Sequence, residues 1–157
     1  MPTPWITPLP ANDEHAAEVD LEALLAHRPQ LLERYRAFRT AVHAADRLPP
    51  RLLELCRLRV AAVHDCATEF ARRAPGVQLA PHEVDALRVG DASPFDAQGR
   101  AALALADALP YNHHQVTDDE VARVRAVLGE AGTVALLTAI AFFDVECRLR
   151  RVLGVQP

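Results

Sequence analysis

Residues 50 to 74 constrain this chain more than any other stretch. Pro50 to Val63 reads Pro-Arg-Leu-Leu-Glu-Leu-Cys-Arg-Leu-Arg-Val-Ala-Ala-Val, apolar on nearly every side of a helix. A helix that is apolar all round belongs at the centre of a core. His64-Asp65 then break the pattern, and Cys66 opens a second helical stretch with Thr68, Glu69 and Phe70. The chain must therefore fold around this segment. It also carries a carboxylate, Glu54, and a thiol, Cys66, on opposite sides of one predicted bend.

The remaining pattern is helical throughout. No segment alternates with period two, so the expectation is all-α, with six to eight helices in one domain over residues 20–157. A proline-rich arm, residues 1–19, precedes it. Pro2, Pro4, Pro8 and Pro10 predict an extended path there. Trp5 and Ile6 either pack on their own domain or lap onto a neighbouring subunit. Asp20 is a candidate cap for a short helix. Pro29 suits the first turn of a helix bearing Leu31, Leu32, Tyr35, Phe38 and Val42 at helical spacing. Pro81 to Arg88 reads as a short helix stopped by Gly90. Ser93 is the expected cap of a helix from Ala97 to Leu109, closed by Pro110. His113 and His114 fall in a loop. Thr117 and Glu120 form a capping box, and Gly129 ends that helix. The last helix runs from about Gly132 to Leu153, with Arg148, Arg150 and Arg151 suiting its negative pole.

Bulk properties exclude several functions. The net charge of −4 leaves no footprint for nucleic acid or an anionic membrane. All basic residues are arginine, so Schiff-base chemistry on a lysine is excluded. Three cysteines, Cys56, Cys66 and Cys147, do not suggest a disulfide framework. No signal peptide is expected in the first residues. Val134 to Val145 is too short for a membrane span and contains Asp144. A cytoplasmic protein is the expectation.

The order of features over residues 48–154 resembles the carboxymuconolactone decarboxylase family, which includes the alkylhydroperoxidase D-like proteins. The features are Leu48-Pro49 with Arg51, Glu54 and Leu55, then the apolar helix, the thiol break, a short Pro81-led helix and a long final helix. The resemblance implies an alkylhydroperoxidase D-like helical bundle that assembles as a trimer or hexamer. It also implies a small-molecule substrate and no cofactor. The redox branch of that family has a glutamate, a Cys-x-x-Cys pair and a histidine four residues after it. Here the glutamate falls on Glu54 and the first cysteine on Cys66. Glu69 stands at the second cysteine and Arg73 at the histidine. Thr68-Glu69-Phe70 and Arg73 are closer to a second branch that lacks the redox pair. Without a thiol at position 69, a sulfenic acid on Cys66 has no resolving partner three residues away.

Each candidate has two readings. Glu54 suits a general acid or base; as structure, it pairs with Arg57 or Arg51. Cys66 is a thiol activated at a helix start, or a small buried hydrophobe. Glu69 is a second catalytic carboxylate, or the partner of Arg73 in a helical ion pair. Arg73 could bind a substrate carboxylate. His64 borders the break as a local proton carrier or substrate-binding group; as structure, it simply faces water. His113-His114 lack a nearby ligand cluster, and no metal is assigned. Cys56 and Cys147 read as core. Three functions remain open at this point. They are acid/base chemistry on a small organic acid or lactone, Cys66-dependent hydroperoxide reduction, and a non-catalytic homo-oligomeric interaction protein.

Overall fold

The structure is a computed structural model and describes residues 6, 7, 9, 21–44 and 47–155. Asp20, Trp5 and most of the arm lie outside the described residues. The helices are α1 (Leu21–Leu25), α2 (Pro29–His43), α3 (Pro50–Val63), α4 (Ala67–Ala71), α5 (Pro81–Val89), α6 (Ala97–Asn112) and α7 (Asp118–Val152). A single 3₁₀ turn, His113–Gln115, joins the last two. Among the described residues there is no strand, as the missing period-two pattern predicted.

Proline opens α2, α3 and α5 at the position where its missing N–H costs nothing. The centre is α3, which packs against α6, α7, α5 and α4. Its Leu52, Leu55, Leu58, Val60 and Ala61 are buried with Leu105, Leu136, Ile140 and Phe143. Full burial of a leucine such as Leu58 contributes about 1.5–3 kcal/mol. The apolar stripe of α2 is a different case. None of its residues is buried, and Leu31 and Phe38 are 51% and 47% exposed. It lies against α7 across an apolar groove of about 600 Å³.

Two helix boundaries differ from expectation. Asp96, not Ser93, caps α6, its carboxylate accepting from the Gly99 N–H at 2.7 Å. Ser93 instead donates to Asp91 in the preceding turn. Pro110 sits inside α6 rather than closing it, because its missing donor removes only one bond near the helix end. By contrast, the Thr117–Glu120 capping box forms as read. Gly129 adopts φ 68, a kink within α7, and the Thr133 hydroxyl donates to its carbonyl at 2.7 Å.

Gly90, at φ 80, ends α5 beneath the guanidinium of Arg59. A Cβ there would stand 2.7 Å from that group. Arg59 donates to the Leu87 carbonyl at 2.9 Å and pairs with Asp107 at 2.5 Å. This ties α5 to α3 and α6.

By length and composition α7 is apolar enough to cross a membrane. The shorter run ending at Asp144 did not anticipate this. In the fold it is the inner helix against α2, α3 and α6, and it buries Glu146 and Arg150.

Candidate functional site

The expected bend exists. The helix α3 ends at His64 with a Schellman arrangement. The Cys66 N–H bonds the Ala61 carbonyl at 2.8 Å, and the Asp65 N–H bonds the Ala62 carbonyl at 3.1 Å. Asp65 takes the left-handed position usual for glycine, at φ 51. His64 fixes the bend from outside. Its Nε2 lies 2.5 Å from Asp144 Oδ1 and its Nδ1 2.8 Å from the Tyr111 hydroxyl. A carboxylate at Nε2 selects the tautomer in which Nε2–H donates and the Tyr111 O–H donates to Nδ1. Both ring nitrogens of His64 are thereby occupied by protein groups, and His64 lines neither cavity described below.

On the inner side of the bend lies a buried ionic network. Arg57 grips Glu54 through two parallel bonds of 2.8 Å. Such a fork is the strongest geometry available to this pair. The Ala74 N–H adds a 3.1 Å bond to Glu54 Oε1. Arg57 also donates to the Glu69 carbonyl at 2.7 Å and the Arg72 carbonyl at 2.8 Å. Glu69 is held by three guanidinium groups: Arg57 at 3.3 Å, Arg72 at 3.3 Å and Arg150 at 2.8 Å.

Arg73 is not the partner of Glu69. The helix α4 ends at Ala71, so the four-residue spacing does not bring the two side chains together. Arg73 donates to the Phe70 and Arg72 carbonyls, and its guanidinium lies 5.8 Å from the Phe70 ring centre. Arg150, assigned by sequence to the helix dipole, is instead buried on Glu69.

A cavity of about 350 Å³ opens beside this network, lined by Glu54, Arg57, Glu69, Arg39, Arg73 and Glu146. Glu146 accepts the Tyr35 hydroxyl. Burial holds its carboxyl above the ordinary range. The same burial, with the charge of Glu146, pushes the Tyr35 phenol far upward.

Cys66 lies on the opposite side of α4. It lines a second cavity, of about 480 Å³, with Asp65, Ala67, Phe70, Arg73 and Arg88. Arg88 stacks 4.4 Å from the Phe70 ring centre. The three residues read as catalytic therefore divide. Glu54 and Glu69 face one cavity, Cys66 faces the other, and Arg73 borders both.

Cys147, on α7, is buried in the same core cluster as Cys66. The neighbouring Cys147 thiol, aided by the Glu69 backbone and the charge of Arg150, lowers the Cys66 thiol to about 7 against the opposing effects of burial and the Glu69 carboxylate. Cys147 is driven far upward, first by the neighbouring Cys66 thiol and then by burial. Cys56 shares nothing of this; burial alone raises it to about 12.

Sequence reasoning missed Cys147, Glu146 and Arg150. Their signal is the presence of Asp144, Glu146, Cys147 and Arg150 at helical spacing inside an otherwise apolar helix.

No protein-family model matches the chain, and no curated protein matches it. Two solved structures share its fold. One is a cysteine-to-alanine variant of the debrominase Bmp8 in complex with 2,3,4-tribromopyrrole. It is 16% identical with a TM-score of 0.74, covering 86% of this chain and 74% of its own. The other is a protein of unknown function from Agrobacterium tumefaciens, proposed as an antioxidant defence protein AhpD. It is 22% identical with a TM-score of 0.73, covering 85% of this chain and 94% of its own.

Proposed function

We propose that this chain, an all-α protein with the alkylhydroperoxidase D-like fold, is a thiol-dependent reductase of small electrophiles, organic hydroperoxides foremost, with Cys66 as the nucleophile. One observation carries the reading. Cys66 borders a cavity and its thiol is lowered to about 7, so a large share is thiolate near neutrality. A thiolate attacks the outer oxygen of a hydroperoxide. The O–O bond breaks, the alcohol leaves with a proton, and the sulfur becomes a sulfenic acid. The two fold relatives, a debrominase captured with its ligand as a cysteine variant and a proposed antioxidant protein, support cysteine chemistry on this scaffold.

The test uses the reduced protein with an organic hydroperoxide, dimedone as a sulfenate trap and intact mass. Cys66→Ser is expected to abolish both the adduct and hydroperoxide consumption. Alkylation of Cys66 by iodoacetamide should rise with pH through a midpoint near 7, where the thiolate forms. Unchanged consumption by Cys66→Ser would sink the reading.

A second reading, acid/base chemistry on a small organic acid, draws on the other cavity. Glu54 is poorly placed for that role, since both its oxygens are held by Arg57. Glu146 fits it better, because burial raises its carboxyl above the ordinary range, the direction that suits a general acid. Turnover of small acids or lactones by wild type but not by Glu146→Gln would favour this reading over the thiol. Assembly as a homo-oligomer is a further proposal resting on the family resemblance, and light scattering on the purified chain tests it.

A further inference from the structure

We propose that the cavity bordered by Cys66 binds a carboxylate through the guanidinium groups of Arg73 and Arg88, and that the hydroperoxides reduced there are anionic ones. The substrate half of this rests on the reading of Cys66 as the nucleophile; the anion site does not. The cavity, of about 480 Å³, has room for a small organic acid. The charged residues described along it are Arg73, Arg88 and Asp65, two guanidinium groups against one carboxylate. Glu69 does not alter that balance. It does not line this cavity, and its carboxylate is taken up by Arg57, Arg72 and Arg150.

Both arginines are exposed, and both are set against one buried ring, that of Phe70. The Arg88 guanidinium lies 4.4 Å from the ring centre and that of Arg73 lies 5.8 Å from it. Stacking holds a guanidinium by its face and leaves the N–H groups of its edge to donate in the plane. That is the geometry a carboxylate matches with two parallel bonds. Arg73 is fixed further, because its Nη1 donates to the Phe70 and Arg72 carbonyls. Its Nε and Nη2 have no partner among the described residues. The Arg88 side chain has no hydrogen bond or ion pair among the described residues. Two like charges gathered on one ring repel each other, and a bound anion offsets that repulsion. A carboxylate held there keeps the rest of its molecule in the cavity that Cys66 borders. A peroxide group on the same molecule is then presented to the thiol at a raised local concentration.

The test compares two hydroperoxides that differ in charge alone, 4-(2-hydroperoxypropan-2-yl)benzoic acid and its methyl ester. Each is offered to the full-length protein with excess dithiothreitol at low ionic strength. The acid is expected to show a kcat/KM about 10-fold or more above the ester, the worth of one hydrogen bond to a charged group. That advantage should shrink as salt is added. Arg88→Gln should raise KM for the acid and remove most of its advantage, and Arg88→Lys should restore part of it. Binding of 4-isopropylbenzoate, which has no peroxide bond, is followed by calorimetry on the same proteins. Wild type should bind it, and Arg88→Gln should weaken binding by about 10-fold. Equal kcat/KM for acid and ester, with Cys66-dependent turnover of both, overturns the substrate class and leaves the proposed nucleophile standing. Isopropylbenzoate binding that Arg88→Gln weakens, with no turnover of either hydroperoxide, upholds the anion site and overturns the nucleophile. No binding by wild type, or binding undiminished in both Arg73→Gln and Arg88→Gln, overturns the anion site. The acid–ester comparison and its salt dependence use wild type alone, so they decide the matter even if a variant folds poorly.

Discussion

Two buried polar clusters flank α4, and they are built to opposite ends. On one side Glu54 and Glu69 have every oxygen matched to a guanidinium or backbone donor. On the other, Cys66 is a buried thiol beside a cavity, lowered to about 7. The first arrangement is balanced by paired charges, whereas the second holds a thiol with no ion-pair partner of its own. The more conspicuous charges in the sequence thus belong to the quieter cluster. The residue count from Glu54 to Cys66 does not bring the two into one pocket.

The contrast can be broken most severely at Arg57. Arg57→Ala leaves Glu54 and Glu69, 2% and 6% exposed, without their shared partner. Removing one member of a buried ion pair costs about 3–5 kcal/mol. Urea denaturation should show that loss, and a change under about 1 kcal/mol would mean the network carries no structural weight.

A smaller effect distinguishes Glu146 from its ion-paired neighbours. Its carboxyl is held above the ordinary 4.5, so the folded chain binds that proton more tightly than the unfolded chain does. The sign follows from linkage: stability is greatest at or below the ordinary carboxyl value and falls as pH rises through the window above it. Glu146→Gln should remove that fall. The variant's Tm should therefore gain on wild type as pH rises above the ordinary carboxyl value of 4.5. A difference that does not vary with pH would show that the carboxyl is already ionised.

The smallest effect belongs to the exposed pair of Arg51 and Glu83. Arg51 is 47% exposed at its side chain, and solvent screens the attraction. Arg51→Ala should cost at most about 1 kcal/mol in the same denaturation assay. A loss approaching that of Arg57→Ala would erase the distinction between surface and buried pairs in this protein.

The fold was largely legible because it depends on local signals. Apolar periodicity, proline in first turns, the Thr117 box and the left-handed glycines at 90 and 129 are all decided within a few residues. The break after Val63 was legible for the same reason. Where two local signals competed, the reading failed: Asp96 took the cap from Ser93, and α6 ran past Pro110. The site was legible only in half. Glu54, Glu69 and Cys66 stand out in the sequence because they interrupt or border an apolar helix. Arg150 and Cys147 do not, since an arginine near a helix end and a cysteine in an apolar run each have an ordinary explanation. Only the tertiary packing of α7 brings Arg150 onto Glu69, and no local pattern encodes it.

The His64 contact has a consequence for the bend. Its Nε2 lies 2.5 Å from Asp144 on α7, and its Nδ1 lies 2.8 Å from the Tyr111 hydroxyl on α6. One side chain thus fastens the elbow carrying Cys66 to two separate helices, and that anchorage does not draw on any bond made by the sulfur itself.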